Sequence, residues 1–343
     1  MGLIGRHPVP AGGENIKHLI TLANDRLSVS RTHLEFGIGE AGLWIRDCFS
    51  TNGSDMEMYG RRSRMEPGRR VPAPVGCTIH LGSTSRVTVQ MRPERAAIGS
   101  ATINWGSATR TGARHDHNED ACGTCPPAFV VADGIGGHGA GDFASRAAVE
   151  ALLPLSGDTR VTAEMLSARL SDARVLIDRI AADNRRPPGT TLSGVVVTEA
   201  DEVPSWLIVN IGDSRTYLLN SDGFRQLTVD HTVMQELIDA GAMPASAASS
   251  HPARNLLTRA LLAGKEYPAD LWLLPMRVGD RVLVCSDGLT KEVDDRSIAA
   301  VLRAVSDPES AADELLNAAI SAGARDDATA LVVDVVAIRA GLS

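Results

Sequence analysis

The chain has 343 residues, of which 43% are hydrophobic and 22% charged, and it carries a net charge of −8. Length and balance indicate a globular protein of more than one domain, not a disordered chain, and its cores should be aliphatic because aromatics make up only 3%. The charge is uneven: residues 1–95 carry 13 Lys+Arg against 9 Asp+Glu, whereas the remainder is acidic, which argues against nucleic acid as a partner and suits cations.

The opening stretch, "MGLIGRHPVP", lacks the apolar core of a signal peptide, and Arg6 stands where N-myristoylation needs Ser or Thr. No apolar run reaches the roughly 18 residues of a membrane span. A cytoplasmic protein without membrane contact is expected. Five cysteines, an odd and sparse set, point to a reducing compartment. Cys122 and Cys125 form a lone C-x-x-C with no second pair and read as ordinary loop thiols.

Through residues 1–95, short β-like runs alternate with turns: "LITLAN", "THLEFGI", "LWIRD", "CTIHLG" and "RVTVQM". Helical periodicity is absent, so an all-β sandwich is expected. Three loop motifs separate the runs: Gly5-Arg6, Ser30-Arg31-Thr32-His33 and Ser50-Thr51-Asn52-Gly53. A guanidinium grips phosphate through its fork, a hydroxyl adds a neutral donor, and an Asn amide can fix a peptide backbone. Taken singly, Asn52-Gly53 is a hairpin turn and His33 a packing histidine.

Together, "GR", "LSVSRTHLEF", "LWIRDCFSTNGS" and "PGRRVPAPVGCTIHLG" make residues 3–90 resemble the forkhead-associated (FHA) domain. The resemblance implies a β-sandwich that binds phosphothreonine, with Arg6, Ser30, Thr51 and Asn52 on the phosphopeptide and His33 bracing the loop. FHA domains usually place two strands before the Gly-Arg, and only four residues precede Gly5 here, so the sandwich either lacks an edge or rebuilds the second strand elsewhere, or this start is not the natural one. The FHA-like domain is assigned to residues 1–92. A linker at 93–99, within "MRPERAAIGS", follows because composition changes there.

Beyond the linker, residues 100–338 mix strands and helices. Strands are expected at 127–132, 192–198, 206–211, 215–219, 281–285 and 329–337, and helices at 140–153, 162–183, 231–241, 252–263 and 308–322. The tight turn "GDSR" makes a hairpin, and the first two helices form an adjacent pair. Hairpins with helix pairs argue for α+β layers over an alternating parallel sheet.

In "FVVADGIGGHGAG", Gly134, Gly136 and Gly139 fit G-x-G-x-x-G between a strand and a helix. A dinucleotide loop would also need an acid ending a second strand about 20 residues on, and Asp133 beside it would repel a pyrophosphate. Neither condition suits that reading. Other acids share the setting of Asp133: Asp287 after "RVLVCS", Asp213 after "WLIVNIG", Asp326 before "ATALVVDVV", and Glu119 and Asp120 before 127–132. Singly, each is a capping or turn acid. Gathered together they would hold hard divalent cations through oxygen, with glycines letting backbone carbonyls approach.

The pieces "RHDHNEDA", "VVADGIGGHGAG", "GTT", "IGDSRTY", "DHTVMQELIDAGAM", "LVCSDGLTKEV" and "RDDATALVV", in this order, resemble the metal-dependent Ser/Thr phosphatases of type 2C, the PPM family, in its bacterial form. The resemblance implies a four-layer αββα sandwich with two Mn²⁺ or Mg²⁺ ions about 3.5–4 Å apart that activate a water for in-line attack. By motif, Asp133 bridges the ions, the Gly134 carbonyl binds one, and Asp287 and Asp326 bind the other. Glu119 and Asp120 hold metal-bound waters, and Asp213 serves a third, weaker ion together with Asp287. Arg114, Asp133 and Asp287 form the catalytic set, with Arg114 on the phosphate through a one-residue bulge at His115. Ile135 stands where many eukaryotic members have a proton-donating His, leaving water or His138 for that task. The segment 222–270 corresponds to the flap over the site.

The reading is a phosphoprotein phosphatase acting on phosphoserine or phosphothreonine and recruited by its FHA domain to phosphorylated proteins, such as a Ser/Thr kinase or its substrates. The alternative is a phosphothreonine-binding adaptor on a weak or inactive phosphatase fold. The full set of acids speaks against it.

Overall fold

The structure, a computed structural model, describes residues 2–9, 18–22, 28–39, 42–58, 61–74, 77–83, 85–89, 95–113, 115, 117–136, 140–181, 187–244, 251, 253 and 256–339. The chain divides into two compact units, Met1–Arg92 and Pro93–Ser343.

Among its described residues the first unit contains nine strands: β1 (Gly2–Gly5), β2 (His18–Thr21), β3 (Leu34–Gly39), β4 (Gly42–Asp47), β5 (Ser54–Met58), β6 (Arg61–Arg64), β7 (Arg70–Pro72), β8 (Thr78–Leu81) and β9 (Ser85–Thr88). They form two sheets, ordered β2-β1-β3-β4-β7 and β6-β5-β8-β9. Ile4, Leu34 and Ile45 from the first sheet share one aliphatic core with Ile79 and Leu81 from the second. Of the alternatives at this edge, a strand rebuilt elsewhere is the one observed: β2, after the Gly-Arg, lies parallel beside β1, with Gly2 opposite His18 and Gly5 opposite Thr21. At the other sheet's edge, β6 is exposed along its whole length and carries Arg61, Arg62 and Arg64. Charge of that kind discourages edge-to-edge pairing.

The second unit begins inside the expected linker, because β10 (Ala96–Ile98) pairs with β11 (Ala101–Arg110). Next come β12 (Ala121–Cys125), β13 (Ala128–Ala132), β14 (Gly134–Ile135), α1 (Ala140–Glu150) and α2 (Ala163–Ala181). The middle of the unit holds β15 (Gly189–Thr190), β16 (Leu192–Ala200), β17 (Val203–Ile211), β18 (Arg215–Asn220), β19 (Gly223–Gln226), α3 (Val233–Asp239), β20 (Leu261–Leu262) and β21 (Asp270–Pro275). The last elements are β22 (Arg281–Cys285), α4 (Asp287–Thr290), α5 (Asp295–Ala304), α6 (Pro308–Ser321) and β23 (Ala328–Ile338).

Two antiparallel sheets, β10-β11-β23-β22-β18-β19 and β12-β13-β16-β17-β21, face each other. Ile103, Trp105, Val282, Leu331 and Val333 of the first interlock with Phe129, Val131, Val195, Trp206 and Ile208 of the second. Helices α1 and α2 cover the outer face of the second sheet through Ala148, Leu166 and Ile177 on Val130, Val196 and Val209. Helices α5 and α6 cover the first through Ile298, Leu302 and Leu315 on Leu283 and Val332. The result is four layers, αββα. Covering both faces of each sheet explains why β13 reads as an unbroken apolar run instead of an alternating one.

Three expectations need correction. The turn "GDSR" does not close a hairpin: β17 pairs with β16 and β21 while β18 pairs with β19 and β22, so the chain crosses there from one sheet to the other. The stretch 252–263 is not a helix where it is described: Leu257 bridges to Thr232, and Leu261–Leu262 is β20, paired with β15. Cys122 and Cys125 lie on β12 and not on a loop, and neither is in a disulfide.

Candidate functional site

The acids of the second unit converge because the strands carrying them end together. In the β12–β13 hairpin Ala121 faces Ala132, so Asp120 and Asp133 stand side by side one step beyond the ladder. On the other sheet, Cys285 of β22 pairs with both Arg215 and Ala330. Asp287, Asp213 and Asp326 therefore leave that sheet at a common end, just beyond β22, before β18 and before β23.

Backbone contacts hold this end tightly. Thr191 accepts from the Asp133 N–H (3.0 Å) through its hydroxyl and donates its own N–H to the Asp133 carbonyl (2.9 Å). The Thr190 hydroxyl donates to the same carbonyl at 2.8 Å. The short "GTT" motif thus fixes the backbone from which the Asp133 side chain projects. The Ser286 hydroxyl donates to Asp120 Oδ2 at 2.7 Å and accepts the Thr329 N–H at 2.9 Å, joining the two sheets at the site. Gly134 is required by close approach: a Cβ there would lie 2.4 Å from the Gly141 carbonyl and 2.5 Å from that of Glu119. Gly288 is equally confined, with the Asp327 carbonyl 2.0 Å from where its Cβ would stand.

The electrostatics are those of carboxylates crowded away from water. Burial, followed by the charges of Asp120, Asp287, Asp213 and Asp326, raises the pKa of Asp133 well above the ordinary carboxylate value. Burial raises Asp120 to about 7; Asp287 and Asp327 add to the effect, and hydrogen bonds from Thr329 and Ser286 oppose it. Asp213 is likewise raised to about 7, by burial and then by Asp287 and Asp230. Asp287 is raised by burial against the opposing pull of Lys291.

The Lys291 ammonium sits 2.5 Å from Asp287 Oδ2 and 3.0 Å from Asp326 Oδ2. Asp120 Oδ1 and Asp287 Oδ1 are buried without a hydrogen-bond partner. Oxygen donors left unsatisfied in a repelling cluster are a poor arrangement for the protein alone and a fitting one for a hard divalent cation.

Two residues at the site escaped the sequence reading. Asp327 is buried and accepts from the N–H groups of Gly112 (2.8 Å) and Glu119 (2.7 Å), and its Oδ2 lies 2.9 Å from His115 Nδ1. It ties the 112–119 segment to the start of β23. The hydrogen bond to Asp327, the first of its causes, raises the pKa of His115. The signal was present in "RDDA", where two adjacent acids must point to opposite sides. Lys291 is the other, and its i, i+4 spacing from Asp287 was readable in "DGLTK". Arg114 and His138 lie outside the described residues.

The family model of protein phosphatase 2C matches residues 109–322. The chain belongs to the protein phosphatase 2C family. The serine/threonine phosphatase stp of Listeria innocua is 35% identical over 234 residues, covering 64% of this chain and 91% of that protein. The serine/threonine protein phosphatase PstP of Mycobacterium tuberculosis is 35% identical over 235 residues, covering 68% of this chain and 45% of that protein. A crystal structure of Mycobacterium tuberculosis PstP/Ppp aligns with a TM-score of 0.64 at 32% identity, covering 68% of this chain and 99% of that one. The catalytic domain of PstP in complex with two manganese ions aligns at 0.60 and 33% identity, with 68% and 99% coverage. This protein phosphatase 2C is thus a metal-dependent Ser/Thr phosphatase, and its cofactors are Mn²⁺ or Mg²⁺.

In the first unit the three loop motifs lie together. Arg6 is exposed, and its N–H donates to the Ser30 carbonyl at 3.1 Å. The Ser30 hydroxyl accepts the Thr51 N–H at 3.0 Å. The Asn52 side-chain amide donates to the Ser28 carbonyl at 2.9 Å. His33 is fully buried: Nδ1 accepts the Ser30 N–H at 3.0 Å, and Nε2 lies 3.2 Å from the Gly53 carbonyl. These partners require the neutral, Nε2-protonated ring, and burial lowers the pKa in agreement.

Proposed function

We propose that the chain is a phosphoprotein phosphatase acting on phosphoserine and phosphothreonine, delivered to its targets by an N-terminal phosphothreonine-binding module of the FHA kind. The observation that carries the catalytic half is the convergence of Asp120, Asp133, Asp213, Asp287 and Asp326 at one end of the paired sheets, with buried oxygens of Asp120 and Asp287 left for a cation. Bound Mn²⁺ or Mg²⁺ there supplies Lewis acidity, lowering the pKa of water and neutralising phosphate oxygens.

The chain's own residues set the stage for that chemistry. Asp133 would contact both ions and the Gly134 carbonyl one of them, while Asp287 and Asp326 would hold the second. Glu119 and Asp120 would orient coordinated water, and Asp213 would serve a further ion with Asp287. Thr190, Thr191 and Ser286 keep these donors in place.

The targeting half rests on the loops around Ser30. The hydroxyl of Ser30, the Thr51 and Asn52 segment and the exposed Arg6 share one edge, and His33 pins both loops from beneath. The partners that fit are phosphorylated proteins, among them a Ser/Thr kinase or that kinase's substrates.

Fluorescence anisotropy with a phosphothreonine peptide, comparing the intact protein with Arg6→Ala, tests the targeting. Loss of binding in Arg6→Ala with unchanged cleavage of p-nitrophenyl phosphate supports two separate tasks. Equal binding by both proteins removes the phosphothreonine assignment, and binding without any Mn²⁺-dependent cleavage leaves an adaptor.

A further inference from the structure

Lys291 ends the short helix α4, and its N–H donates to the Asp287 carbonyl at 2.8 Å, which places its side chain one turn beyond Asp287. The chain then folds its ammonium back between two carboxylates from different elements, Asp287 Oδ2 at 2.5 Å and Asp326 Oδ2 at 3.0 Å. The side chain is three-quarters buried. Among the described residues, ion pairs to these two acids come from Lys291 and, at 3.9 Å from Asp326, from His115. Asp133 and Asp213 face the same group of charges and add to the negative field.

We propose that Lys291 is a built-in counter-ion that occupies the cation position between Asp287 and Asp326 in the metal-free protein and is displaced when a divalent ion binds there. The inference rests on the assignment of Asp287 and Asp326 as ligands of one ion. An ammonium lodged between the two carboxylates neutralises the charge that would draw a divalent cation, and two cations at that separation repel each other, even though Asp287 Oδ1 has no partner of its own. Loading this position is therefore an exchange of cations and not simple addition. The exchange lowers the apparent affinity for metal, and it stabilises the metal-free fold against the repulsion within the cluster. The outcome is a phosphatase that tolerates loss of its cofactor and loads in proportion to the free metal concentration.

The test uses the full chain purified with Mn²⁺, as wild type, Lys291→Met and Lys291→Gln. Met keeps the methylene packing and Gln keeps polarity, so one can report where the other fails to fold. Mn²⁺ affinity is read by calorimetry and by competition with a chelator, and the thermal midpoint is read with and without metal. Both variants are expected to bind Mn²⁺ about tenfold more tightly at one position, a modest share of the attraction between opposite charges at this separation. Their metal-free midpoint should fall below that of wild type, and the gap should close at saturating Mn²⁺. Unchanged or weaker Mn²⁺ binding in both variants, or an unchanged metal-free midpoint, overturns the proposal. A separate comparison with Asp287→Asn tests the ligand assignment: if that variant binds Mn²⁺ as wild type does, the assignment itself fails and the proposal falls with it.

Discussion

Asp327→Ala should be among the most damaging single changes at the site, although Asp327 is not placed on the metal. The carboxylate is 3% exposed and accepts the N–H groups of Gly112 and Glu119 at 2.8 and 2.7 Å. Hydrogen bonds to a charged acceptor contribute about 1.5–3 kcal/mol each. The His115 contact adds less, because its ring is more than a third exposed and screened. Removing the carboxylate should therefore cost about 3–5 kcal/mol, near the range for breaking a buried charge network. For a domain of this size that is a fall of roughly 10 °C in the thermal midpoint.

The same change frees the segment bearing Glu119 and Asp120, so Mn²⁺ affinity should drop about tenfold, as when a residue that orients a metal ligand is lost. Asp327→Asn keeps one acceptor oxygen and should lose roughly half as much stability. Urea unfolding of the full chain followed by tryptophan fluorescence, with Mn²⁺ calorimetry on the folded variants, measures both effects. A loss below about 1 kcal/mol with unchanged Mn²⁺ affinity would refute the role assigned to Asp327.

The pKa values of Asp120 and Asp213 lie near 7 in the metal-free site, above the unfolded value near 3.9. The folded state therefore binds more protons between those limits, so these groups make the metal-free protein less stable as pH rises from about 4 through 7. Melting without metal at a series of pH values should show this decline, and Mn²⁺ binding near pH 6.5 should release protons, seen as a buffer-dependent heat. Gly134→Ala should abolish Mn²⁺ binding and cost roughly 1–3 kcal/mol, because its Cβ would enter the Gly141 backbone; normal Mn²⁺ affinity in a folded variant would count against the crowding. His33→Ala should destabilise the first unit by about 2–4 kcal/mol, through a cavity and two lost hydrogen bonds, and should weaken phosphothreonine-peptide binding in anisotropy.

Much of the site was legible because its chemistry lies at strand ends. Asp133, Asp213, Asp287 and Asp326 each stand beside an apolar run and a turn, and the register of the paired strands brings those ends together. What was hidden depends on tertiary pairing. The stretch 252–263 has helix-favouring residues, but Val233, Thr258 and Ala263 make backbone bonds to Leu256, His231 and Pro188, and these override local propensity. The polar alternation of β11 concealed the longest ladder of the second unit, since Thr102, Asn104 and Ser107 gave no continuous apolar run. Helix α5 also went unrecognised, although Asp294 caps it by accepting the Ser297 N–H at 2.7 Å. Asp327 could not be assigned its partners from spacing, nor Lys291 its second one, because Gly112 and Asp326 approach them from distant parts of the chain.

The metal-dependent phosphatase activity is tested most directly by Mn²⁺-dependent release of phosphate from a phosphothreonine protein by the full chain and by Asp133→Asn. The wild type should release phosphate rapidly, stop on addition of a chelator and recover on adding Mn²⁺, with Asp133→Asn folded but at least about a hundredfold slower, as expected when Lewis-acid catalysis is lost. Comparable release by the two proteins, or release unaffected by the chelator, would contradict it.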